Sequence, residues 1–92
     1  MMDSILLAPG DVERLLAQRI RAARRGRGWT QQELASRAGL GIATIARLES
    51  KGRGQIASLV RVAGALGRLR DFESLLDADV PTSLDELRRR AK

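Results

Sequence analysis

The chain has no cysteine, no histidine and no tyrosine, and holds one Phe and one Trp in 92 residues. Without Cys and His there is no disulfide, no thiolate nucleophile, no zinc site of the Cys/His type and no imidazole base. With so few aromatic rings the core falls to Leu, Ile, Val and Ala, and the stacking surfaces that read single-stranded RNA are missing. Two prolines and no alternating β-branched stretch leave helical periodicity as the governing pattern, so an all-α fold is expected. No apolar run approaches the roughly 18 residues that span a bilayer. Met1–Ala8 ends in four apolar residues without a basic leader and does not read as a secretory signal. No metal or cofactor is expected. Gly26-Arg27-Gly28 and Gly52-Arg53-Gly54 lack the strand–loop–helix setting of a nucleotide site, and with no paired-acid constellation an enzyme is a poor reading.

What is present is one small domain's worth of chain, 30% charged and 43% hydrophobic. A chain of this length buries only about 60–68% of its unfolded surface, so a second copy would help to stabilise it. The net charge is +6 and unevenly spread. Residues 1–60 hold ten Arg/Lys against five Asp/Glu, residues 61–87 three against six, and residues 88–92 add four cations. Such a basic block is either a solvated face or an attractor for nucleic acid or an anionic membrane surface.

Spacing divides the chain into an arm (1–10), a helical domain (11–76) and a C-terminal extension (77–92). Pro9-Gly10-Asp11 reads as a turn and N-cap, followed by a helix with Val12, Leu15, Leu16, Ile20 and Ala23 on one side. Thr30 with Glu33 three residues on is a capping box for a second helix reaching about Ala38. A third helix is expected over Ile42–Ser50, a fourth over Ile56–Leu66 and a fifth over Leu69–Leu76. Ser83-Leu84-Asp85-Glu86 is a second capping box and opens a terminal helix.

The informative spacing is Ala35, Gly39, Ile45. Two helices crossing steeply through a short turn need a small residue at the contact (Ala35) and one tolerant of positive φ in the turn (Gly39). They also need a β-branched anchor, Ile45, to fix the roll of the second helix. This is a helix-turn-helix, whose second helix enters the DNA major groove. The bland alternative is an ordinary helical hairpin.

Arg24-Arg25-Gly26-Arg27-Gly28-Trp29-Thr30-Gln31-Gln32-Glu33-Leu34-Ala35, then Ala38-Gly39-Leu40 and Thr44–Glu49, resembles the Cro/repressor-type (XRE-like) regulators over about residues 11–67. That resemblance implies a lambda-repressor-like bundle of about five helices with a short extension, working in the cytoplasm at the nucleoid. Leu48–Gly54, Leu59–Ala63, Ala65–Leu69 and Asp71-Phe72 resemble the narrower HipB-like antitoxins, whose partner is a HipA-like kinase toxin. The implied function is a homodimeric autorepressor on a palindromic double-stranded DNA operator. The alternatives are a stand-alone repressor and a helix-turn-helix module that binds protein.

Carried over by position, the resemblance puts Ile42, Ala43, Thr44 and Arg47 against base edges and Gln31 on a phosphate, with Lys51 and Arg53 touching phosphates beside the recognition helix. Arg24, Arg25 and Arg27 are further phosphate candidates. Apolar Ile42 and Ala43 depart from the polar residues common there and suit a thymine methyl, which leaves Arg47 as the main hydrogen-bonding reader. Two residues stay open: Ile42 is a base contact or a core residue, and Arg47 reads bases or only phosphates. Trp29 reads as a core plug, Glu33 as a cap, and Glu49 as the partner of a nearby Arg. Phe72, Leu75 and Leu76 are the expected dimer surface.

Overall fold

The first two helices start where their own side chains direct. The computed structural model describes residues 8–78, in the order α1 (Pro9–Gly26), α2 (Gln31–Ala38), α3 (Ile42–Lys51), α4 (Ile56–Ala65) and a 3-10 turn at Leu69–Phe72. No strand occurs among the described residues, and no helix is long and apolar enough to cross a membrane.

Pro9 opens α1 because the first helical position needs no amide hydrogen and suits its fixed φ. Ala8 offers no acceptor as N-cap, so the Asp11 carboxylate reaches back and accepts its N–H at 3.0 Å. Helix α1 thus begins inside the expected arm, and Asp11 is a first-turn residue rather than the N-cap. The Thr30–Glu33 box forms as expected. Glu33 N–H donates to Thr30 Oγ1 at 3.0 Å, and Thr30 N–H to Glu33 Oε1 at 2.8 Å. The bond from the Thr30 backbone foremost, and the Thr30 side chain after it, hold the Glu33 carboxyl below its ordinary value. By contrast α3 starts at Gly41 with no side-chain cap and no acid in its first turn.

Gly39 closes α2 at φ 70°, and Leu40 N–H returns to the Ala35 carbonyl at 2.9 Å. Gly52 closes α3 at φ 65° for a second reason as well: a Cβ there would lie 2.2 Å from the Glu13 carbonyl oxygen. Only glycine lets the end of α3 rest on the α1 backbone.

Helix α1 packs on α3, and α2 on both α3 and α4. Between them lie Ile20, Leu34, Ala35, Ala38, Ile45, Leu48, Val62 and Leu66. Ala35 and Ile45, the small contact and the anchor of the helix-turn-helix, are both fully buried.

The expected fifth helix is replaced by the single 3-10 turn of Leu69–Phe72 and irregular turns after it. Its apolar residues find no partner that would hold a helix too short to stand alone. Leu69 lies over Gly64, 3.7 Å from where a Cβ would sit, and Phe72 is half-buried. Leu75 and Leu76 are 60% and 95% exposed, with Leu76 at φ 57°. Most of the arm (residues 1–7) and the terminal helix opened by Ser83 lie outside the described residues.

Candidate nucleic-acid interface

One side of α3 is fixed by burial of Ile45, Leu48 and Glu49. The 3.6-residue period then turns Ala43, Arg47 and Ser50 outward, with Thr44 and Ala46 half-buried at the margins. Ile42 is 46% exposed, so it is not a core residue.

An open groove of about 920 Å³ runs along this helix, lined by Gly10, Glu13 and Arg14 of α1, Gln31 of α2, Ala46, Arg47, Ser50 and Lys51 of α3, and Arg53. Gln31, Arg47, Lys51 and Arg53 were expected at such a site from the sequence, and they are brought together here. Ile42, Ala43 and Thr44 belong to the leading turns of the same helix. Four cations line the groove against one carboxylate, a balance that favours a polyanion. The α1 wall was not anticipated, because it depends on the contact between Gly52 and Glu13, which no local pattern announces.

Arg24 is not a phosphate ligand. It is 8% exposed, and its guanidinium grips Glu49 through Nε–Oε2 at 2.7 Å and Nη2–Oε1 at 2.9 Å while Nη1 donates to the Trp29 carbonyl at 2.8 Å. The fork matches the carboxylate geometrically, so both charges are satisfied away from water. Gln31 Nε2 donates to the same Glu49 at 3.2 Å, which ties the groove side of α2 to the buried pair. Burial pushes the Glu49 carboxyl up, but the bonds from Arg24 and Gln31 outweigh it and leave the carboxyl below its ordinary value. The bond to Glu49 in turn holds Arg24 above its own. Glu49 therefore does pair with an arginine, and that pairing withdraws Arg24 from DNA.

Arg27, unlike Arg24, stays exposed. It donates to the Ala23 and Leu66 carbonyls and lies 5.6 Å from the centre of the Trp29 ring. Arg37 covers that ring at 4.3 Å, and Trp29 packs half-buried against the core, a plug rather than a platform for bases. Of the three arginines expected to hold phosphates at the end of α1, Arg25 and Arg27 are exposed and Arg24 is buried.

A family model for helix-turn-helix proteins matches residues 20–71, more than half of the chain. The chain belongs to that family. Its members of the XRE type are DNA-binding regulators, and the matched span holds both helices of the motif and the turn at Gly39. No curated protein and no solved structure matches the chain.

Proposed function

We propose that this XRE-type protein is a sequence-specific repressor that binds a palindromic double-stranded operator as a homodimer. The observation that carries the reading is α3 itself: rigidly anchored through Ile45 and Leu48, it presents Ile42, Ala43 and Arg47 beside a groove lined by cations. Arg47 reads a base edge by hydrogen bonds, Thr44 assists at the margin, and Ile42 and Ala43 meet thymine methyls. Gln31, Arg25, Lys51 and Arg53 hold phosphates and set the register.

The dimer joins through the apolar surface left at the end of the fold, where Leu69, Leu75 and Leu76 are exposed. Ile56 (81% exposed) and Val60 are further exposed apolar residues, on α4. Two recognition helices about 34–36 Å apart then face successive major grooves. The likeness of residues 48–72 to HipB-like antitoxins supports a further step, in which the dimer also binds a HipA-like kinase toxin.

Selection from randomised duplexes, followed by Arg47→Ala, tests the core of this reading. A palindromic consensus should emerge, and Arg47→Ala should relax one position per half-site by about 1–3 kcal/mol, whereas Arg53→Ala weakens all sequences alike. If selection enriches no sequence, the exposed Ile42 and Ala43 would instead mark a protein-binding surface.

A further inference from the structure

We infer that the first three turns of α1 form a second DNA-backbone contact, with Arg14 as the residue that grips a phosphate; this rests on the DNA-binding reading above. The family match begins at residue 20, but α1 begins at Pro9. The turns between them are only partly accounted for by core packing. Val12 and Leu16 are 39% and 36% exposed, and only Ala17 of this stretch is buried.

Their position is explained by the groove. The close approach of Gly52 to the Glu13 carbonyl presses α1 onto the end of α3, beside the point where Lys51 and Arg53 emerge. Gly10, Glu13 and Arg14 thereby form the wall facing Arg47 and Ser50. A strand of DNA lying against α3 has Gln31 at one margin and Arg14 at another.

Arg14 has the chemistry for this contact. Its side chain is 69% exposed, and its one ionic partner among the described residues is Asp11, itself 31% exposed. An ion pair this open to water holds its members weakly, and a phosphate accepts the same bidentate fork. The Asp11 carboxylate keeps a second task in accepting the Ala8 N–H, so releasing Arg14 leaves it with a bond and the helix start intact. Glu13 repels phosphate from the same wall, so the contact is directed to Arg14.

Anisotropy of a labelled, short random-sequence duplex, titrated with the full chain between about 50 and 200 mM salt, tests the inference. Arg14→Gln should weaken binding roughly tenfold at low salt and reduce the log–log salt slope by about 0.9. Arg14→Lys should keep the slope because it keeps the charge, and Glu13→Gln should tighten binding. Wild-type affinity and slope in Arg14→Gln, alongside a loss in Arg53→Gln, would overturn the α1 contact and leave the repressor reading standing. Failure of the unaltered chain to bind any duplex would overturn both.

Discussion

Replacing Glu49 with Leu would leave Arg24 as a buried cation with one remaining partner, the Trp29 carbonyl. The Arg24 and Glu49 side chains are 10% and 3% exposed, so neither can recover its lost bonds from water. Removing one member of such a pair costs about 3–5 kcal/mol. A chain of this size has of the order of 5–15 kcal/mol in total, so Glu49→Leu should come close to unfolding the domain. Replacing both partners, Arg24→Met with Glu49→Leu, removes the stranded charge along with the bond and should restore most of the loss. Urea unfolding followed by the fluorescence of Trp29, the sole Trp, measures these, and adding Arg24→Met alone completes a double-mutant cycle. A Glu49→Leu loss under about 1 kcal/mol is what an exposed pair would give, and it would refute the burial argument. The same pair predicts a pH dependence. Because folding depresses the Glu49 carboxyl, its contribution is complete above the ordinary carboxylate value of 4.5. It is lost as pH falls below that value through the folded one. Wild-type stability should decline there, and the double variant should decline less.

Two further outcomes follow from the backbone and the apolar surface. Gly39→Ala should cost about 1–2 kcal/mol for its left-handed conformation, since Arg61 Nη1 at 3.5 Å is the nearest obstacle to its Cβ. Gly52→Ala should cost more, because it adds the overlap with Glu13, and equal losses in denaturant would mean that α1 does not rest on α3. Leu69→Asp with Leu75→Asp should shift the chain from dimer to monomer in sedimentation while leaving its helicity unchanged; an unaltered sedimentation profile would remove this surface from the dimer interface.

What could be read from the sequence was what neighbours along the chain decide. Thr30 and Glu33 are three residues apart and cap each other, and Gly39 takes its turn because no side chain opposes it. Ala35 and Ile45 follow from the geometry of two crossing helices. The fates of Arg24, Arg25 and Arg27 were not legible in the same way. These arginines are alike in composition and differ in where Glu49 and the Leu66 carbonyl arrive, 25 and 39 residues further on. The fifth helix misled for a related reason. Phe72, Leu75 and Leu76 have helical spacing, but the fold covers Phe72 only in part and supplies no surface for Leu75 and Leu76. At the other end, Pro9 carried a readable start signal, which the preference of Asp11 for an N-cap obscured.

The bare start of α3 has a cost and a use. Helices α1 and α2 place Asp11 and Glu33 in their first turns, whereas α3, like α4, has neither an acid there nor a side-chain cap. A polar cap there would typically strengthen a helix by about 1 kcal/mol. It would also occupy the positive end of the helix proposed to meet an anionic duplex, so on that reading durability and affinity draw on the same few N–H groups.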